Sequence, residues 1–186
     1  MMNGAMEQTI PTAHQMGIKV VEASRGHAVA SVPAEGNGNH FGVVYAGVQF
    51  TVAEMLGGVI ALATFDAAKY FPLVKNVDIK FTGMARSDLR AETSLDEGEI
   101  ARIEAEAAEK GKADFVLDAV VKDEAGQTVS LTHGLYQLRA HGVSRHSRHG
   151  RRHTHHGGAG CGDCKEGTRR GFTQHCGSAG QPQGVL

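Results

Sequence analysis

The sequence predicts an α+β fold, a strongly curved antiparallel β-sheet wrapped around one long central α-helix. Three observations carry this expectation. Residues 44–66 form a single apolar run of helical length, about six turns. On either side of it, short segments alternate apolar and polar residues with the period of half-buried strands. The turns joining most of these segments are too short for the crossover that parallel pairing needs, so the sheet should be mainly antiparallel. One sheet face must be covered, and the apolar helix is the only large element available to cover it.

In order along the chain, residues 1–16 read as a lead-in or a short helix. The stretches 18–23 and 27–32 flank Ser24-Arg25-Gly26 and form a hairpin. The glycine-rich segment 34–42 is irregular backbone leading into the long helix. Val77, Ile79 and Phe81 then alternate with polar residues, as do Leu89, Ala91, Thr93 and Leu95. Residues 98–111 are rich in helix formers, their acidity that of a solvated face, and Gly111 is a suitable stop. Two last strands, 114–122 and 128–139, are joined by a turn ending in Gly126. His133 falls in the last strand with Val129 and Leu131 and reads as a core or interface histidine.

Composition divides the chain. Residues 1–140 carry 12 Lys/Arg against 18 Asp/Glu, whereas residues 141–186 carry 7 against 2. All three cysteines and seven of the eleven histidines lie after residue 140. The organisation expected is therefore a lead-in over 1–16, a folded domain over 17–140, and a disordered Gly/His/Arg-rich tail over 141–186. With no cysteine in the folded part and no apparent secretion signal, a cytoplasmic setting is expected. Residues 43–63 are long enough to span a bilayer, but Glu54 near their middle would be costly in lipid, so a buried helix in a soluble domain is expected.

Glu54 is the only charged residue in the run from 43 to 63. A carboxylate in apolar surroundings is costly unless it is put to use, so it is the first candidate for a catalytic group; the other reading places it on a solvent-facing stripe. Gly47 lies seven residues earlier, two turns away on the same face, near the helix N-terminus, where free N–H groups could hold a developing oxyanion. A carboxylate that attacks a carbonyl, or activates water to do so, would complete a minimal hydrolase. Asn39 and His40 precede the helix as polar groups able to hold a carbonyl or a water, and equally able to serve as turn and cap devices.

The segment NHFGVVYAGVQFTVAEMLGGVIAL resembles the corresponding region of hotdog-fold thioesterases, closest to the phenylacetic-acid-pathway type and its YiiD-like (DUF4442-like) relatives. Asn39 matches that family's loop asparagine, Gly47 the second glycine of its small-residue pair, Phe50 its aromatic, and Ala53-Glu54 its Leu-Ala-Asp end. Ala46 replaces the first glycine, Tyr45 the family's preceding histidine, and Glu54 a shorter aspartate. The resemblance implies a hotdog fold and an acyl-CoA hydrolase active as a homodimer or a dimer of dimers. It implies Glu54 as general base or nucleophile, the N–H of Ala46 or Gly47 from a partner subunit as oxyanion donor, and Asn39 as the orienting group. His40, Tyr45, Ala46 and Phe50 would then line the substrate. Arg86 and Lys80 are candidates by location for the phosphates of coenzyme A, or plain surface charge.

A non-catalytic acyl-CoA-binding module is the alternative, followed by a hydratase or dehydratase, which would need an Asp–His pair; His40 is available, but no Asp lies beside it. No cofactor, metal, nucleic acid or membrane partner is expected. In the tail, His153, His155, His156, Cys161, Cys164, His175 and Cys176 have zinc-ligand character without the spacing of a complete site. A nucleic-acid role for that basic tail lacks stacking aromatics beyond Phe172.

Overall fold

The structure, a computed structural model, describes residues 2–142; the tail readings above lie outside the described residues. Two short N-terminal helices, α1 (Met2–Thr9) and α2 (Pro11–Gln15), precede the hairpin of β1 (Lys19–Ser24) and β2 (His27–Val32). The central helix follows in two segments, α3 (Ala46–Glu54) and α4 (Leu56–Thr64). Then come β3 (Tyr70–Phe81), β4 (Leu89–Ser94), α5 (Glu97–Lys110), β5 (Lys112–Lys122) and β6 (Thr128–Ala140). The six strands form one sheet in the order β1-β2-β4-β5-β6-β3, and every neighbouring pair is antiparallel. The sheet is antiparallel and covered by the central helix, as the sequence predicts.

Packing explains why the helix lies across the sheet. Val48, Val52, Leu56 and Ile60 are buried and recur at helical spacing. They meet an inner face that includes Ala28, Ala30 and Val32 of β2, Leu89 and Ala91 of β4, and Phe115, Tyr136 and Leu138 of β5 and β6. In β5 the burial alternates strictly, with Ala113, Phe115, Leu117, Ala119 and Val121 inward. The helix is long and apolar enough to cross a membrane by length and composition, and more than half of it is packed inside the protein.

Local signals set the boundaries. Asp96 caps α5 by accepting the Glu99 N–H at 2.8 Å, and Gly111 ends the helix in the left-handed conformation at φ 71°. The β1–β2 turn is tied down by Arg25, which meets Glu97 at 3.1 Å and Glu104 at 3.2 Å and donates to the Thr64 carbonyl at the end of α4.

Three expectations are corrected. The helix begins at Ala46 rather than at residue 44, because Val44 is held in extended backbone: its N–H donates to the Ala85 carbonyl at 2.7 Å and it bridges Gly38. Strand β3 starts at Tyr70, seven residues before the alternation begins. Its Pro72 is compatible with a strand because β3 is an edge strand, paired only with β6. His133 is not a core residue. It points outward from β6, and its Nδ1 lies 2.7 Å from Asp118 Oδ1; the inward positions of that strand are Ser130, Thr132, Gly134, Tyr136 and Leu138.

Helix and sheet approach closely at Gly57, where any Cβ would collide with the Tyr136 ring. Gly57→Ala should therefore cost about 1–3 kcal/mol of stability through overpacking, although alanine is the better helix former. Urea unfolding of the variant against wild type measures this.

Candidate active site

The site is built on the first half of the central helix. Tyr45 precedes α3 in extended backbone, at φ −57° and ψ 138°, and no side chain caps the helix. The N–H groups of Val48 and Gln49 both donate to the Tyr45 carbonyl. Those of Ala46 and Gly47 have no acceptor among the described residues, so the helix start presents two free donors at its positive end. The Tyr45 ring folds back over Gly47, where a Cβ would come within 2.5 Å of Tyr45 Cε1. A larger residue at 47 would have to push the exposed Tyr45 ring aside.

The loop before the helix is organised by its asparagines. Asn37 Nδ2 donates to the carbonyls of Met16 and Pro33, and its own carbonyl accepts the Tyr45 N–H. Asn39 Oδ1 accepts the N–H of Phe41 at 2.9 Å, a turn device, while its Nδ2 has no partner among the described residues. His40 is exposed and packs on Phe41, ring centroids 3.9 Å apart. Among the described residues it meets no carboxylate, so His40 forms no Asp–His pair of the kind a hydratase would need.

Glu54 ends α3. It is half-buried, not fully enclosed, and its carboxylate has no hydrogen-bond or ion-pair partner among the described residues. Burial raises its pKa above the ordinary glutamate value. Gly47, Phe50, Thr51 and Glu54 are all partly exposed and form the stripe of the helix that the sheet leaves uncovered. No hydrogen bond or ion pair joins Asn39 or His40 to Glu54 within one chain.

A residue that sequence reasoning missed positions Glu54. The regular helix lapses at Met55: the Gly58 N–H turns to the Met55 carbonyl at 3.1 Å, and the Glu54 carbonyl instead accepts the Tyr136 hydroxyl at 3.0 Å. Tyr136 lies flat between Gly57 and Gly134, where added Cβ atoms would crowd its ring. Burial and the Glu54 charge both raise the pKa of its hydroxyl, which keeps it a donor. A tyrosine 82 residues from Glu54 leaves no local signal in the sequence. Gln49 is the other polar group with a structural task. It is buried, and its Nε2 donates to the Val44 carbonyl at 3.1 Å, tying the chain as it enters the helix. Among the described residues no group of three or more His, Cys, Asp or Glu is arranged to hold a metal ion.

Tyr136→Phe should destabilise the fold by about 1–2 kcal/mol, because it strips the Glu54 carbonyl of its donor while leaving the packing intact. Glu54→Gln should do the opposite at neutral pH. A raised carboxylate pKa means that the folded state holds the proton more tightly than the unfolded state, so wild-type stability falls as pH rises from the ordinary glutamate range through the raised value. The amide stays neutral and escapes that loss, so melting curves of the two proteins should diverge as pH rises.

Comparison with known proteins gives this geometry a family. The model of the family described as "Domain of unknown function (DUF4442)" matches residues 1–136. A Deinococcus radiodurans protein named "Putative esterase" is 29% identical over 135 residues, covering 70% of this chain and 76% of that protein. A crystal structure from Pseudomonas aeruginosa, of a protein of unknown function described as a probable thioesterase, is 37% identical with a TM-score of 0.71, over 75% of this chain and 93% of that one. A Staphylococcus aureus thioesterase shares the fold at a TM-score of 0.57 and 16% identity, over 68% of this chain and 96% of its own. The protein has the hotdog fold of thioesterases, and the chain belongs to the DUF4442 family.

Proposed function

We propose that the protein hydrolyses acyl thioesters, with Glu54 as the acid–base or nucleophilic group and the free N–H groups of Ala46 and Gly47 as the oxyanion donors. The observation that carries this reading is the pairing, on one uncovered helix stripe, of an unpartnered carboxylate of raised pKa with two unpaired backbone donors. As a base, Glu54 takes a proton from water while the water oxygen adds to the thioester carbon. The carbonyl oxygen gains negative charge and is held by the N–H pair. The carbon–sulfur bond then breaks, and the departing thiolate recovers the proton from Glu54. As a nucleophile, Glu54 would itself add to the carbon, the carbon–sulfur bond would break to release the thiolate and leave an acyl-Glu54 anhydride, and water would cleave that anhydride in a second step. The names of the relatives, esterase and thioesterase, support the class of reaction.

Two features favour a site shared between copies. Gly47 and Glu54 are about 10 Å apart along the helix, a long span for groups that must meet at one carbonyl, and a second helix running antiparallel would bring each Glu54 towards the other's helix start. Strand β3 leaves one edge unpaired along 12 residues, with Leu73, Val74 and Phe81 exposed. Pairing of that edge with a second copy would extend the sheet and cover them, giving a homodimer, with a dimer of dimers as a further step. The S. aureus thioesterase has been studied with a glutamine and a glutamate, fifteen positions apart in its chain, each changed to alanine. Asn39 and Glu54 have the same separation, which supports Asn39, through its free Nδ2, as the group that orients substrate or water. Phe50, Tyr45 and His40 are candidates for the walls.

The proposed acyl donor is coenzyme A, in a cytoplasmic setting. Arg86 is the better placed of the two basic candidates: it is exposed and adjoins Ala85, whose carbonyl holds Val44 next to the helix start. Lys80 lies opposite Leu131 on the outer sheet face, away from the helix.

A thiol-release assay over a panel of acyl-CoAs tests the proposal. Glu54→Gln and Glu54→Ala should fold yet lose at least about a hundredfold in kcat/KM, as expected for removal of a general base. Full activity in either would overturn the assignment, and binding of acyl-CoA by wild type without thiol release would favour a non-catalytic module. The wild-type rate should rise with pH through an apparent pKa above that of an exposed glutamate, since only the ionised carboxylate acts.

A further inference from the structure

A groove runs along the uncovered side of α4, beginning one turn beyond Glu54 and roofed by the N-terminal helix α1. It is lined by Met6, Ile10, Val20, Met55, Val59 and Leu62, together with Thr9 and Gly58, and encloses about 240 Å³. No charged side chain lines it. We infer that this groove receives the acyl chain of the thioester and that the substrates are medium-chain aliphatic acyl thioesters. The inference rests on the hydrolase reading for the position of the carbonyl.

Continuity with the candidate site is the first support. Glu54, Gly58 and Leu62 follow one another at four-residue intervals, so they share the stripe that also carries Gly47. A carbonyl held at Glu54 can direct its chain forward along Gly58 and Leu62, a path that no charged side chain lines. The eight residues from Glu54 to Leu62 span about 12 Å, room for a chain of roughly eight to ten carbons.

The second support is Gly58 itself. Its neighbour Gly57 is required by the Tyr136 ring, but a Cβ at Gly58 would meet nothing within 4 Å, and Gly58 does not have a positive φ. Glycine inside a helix is less favourable than alanine, so neither packing nor backbone conformation within the chain accounts for it. Its effect is to keep the groove open where a chain leaving Glu54 would enter.

The roof is the third. Asn3 holds α1 to β1 by two hydrogen bonds with the Val20 backbone, 2.7 and 3.0 Å, and Met6 is buried beneath the helix. Ile10 and Leu62 nevertheless remain 43% and 51% exposed at the groove. An anchored roof above two large exposed apolar residues describes a slot that an aliphatic ligand would complete.

Hydrolysis of saturated acyl-CoAs from acetyl to palmitoyl, by wild type and by Gly58→Leu, tests the inference. Wild-type kcat/KM should climb with chain length to a maximum near octanoyl and decanoyl. Gly58→Leu should lower the decanoyl-to-acetyl ratio about tenfold or more, the scale on which an apolar pocket discriminates when its length changes. Leu62→Trp, on an exposed position, is the second variant should Gly58→Leu not fold. A flat wild-type profile, or an unchanged ratio in a folded variant, overturns the groove, including where the variant alters only the oligomeric state because a second copy covers the stripe. Should wild type hydrolyse no acyl-CoA, the hydrolase reading fails by itself, and the melting-temperature shift on adding each acyl-CoA decides the groove. A shift that grows with chain length and shrinks in Gly58→Leu upholds it; a shift independent of chain length overturns it.

Discussion

The close approach of the central helix to strand β6 governs much of the rest. Gly57 lets the helix backbone come down onto the Tyr136 ring, Gly134 clears the ring's other side, and the hydroxyl reaches past both to the Glu54 carbonyl. A ring clamped in this way fixes how deeply the helix sits and which of its faces is turned from the sheet. The same contact interrupts the helix at Met55, one residue after the candidate catalytic group. The stripe carrying Gly47, Glu54 and Gly58 is therefore defined by what Tyr136 holds down on the opposite side.

Much of this architecture was legible in the sequence, and what was not has physical reasons. The alternation in β4 and β5, the Asp96 and Gly111 boundaries of α5, and the apolar central helix are local patterns, each decided by a few neighbouring residues. The first half of β3 was hidden because an edge strand has neither the strict alternation of a half-buried strand nor a bar to proline. The helix start was misplaced by two residues because Val43 and Val44 are apolar in either conformation, and a hydrogen bond to distant Ala85 settles the matter. His133 shares a strand face with Leu131, but the inner positions beside it are Ser130, Thr132 and Gly134, small or polar residues that an apolar count assigns outward.

The candidate site was half visible. Glu54 stood out as a lone charge, and Gly47 by its spacing from it. That the Tyr45 ring lies over Gly47 is a contact the spacing alone did not reveal. Asn39 joins the two readings weighed for it, since its oxygen orders the turn and its amide nitrogen stays available. Tyr136 was out of reach because its connection to Glu54 is a tertiary contact with a backbone atom, which carries no residue-type signature.

The clasp between Asn3 and Val20 has a consequence for how far the sheet can grow. A six-stranded open sheet has two edges, here β1 and β3. At β1 a side-chain amide occupies both the donor and the acceptor of Val20, and a kink between Val20 and Glu22 bends the strand there. That edge is obstructed, while the other is long and bare. Two copies meeting at their bare edges by a two-fold axis would present only obstructed edges outward, so growth stops at a pair. By shielding β1 at Val20, the eight-residue N-terminal helix leaves β3 as the more open edge of the sheet.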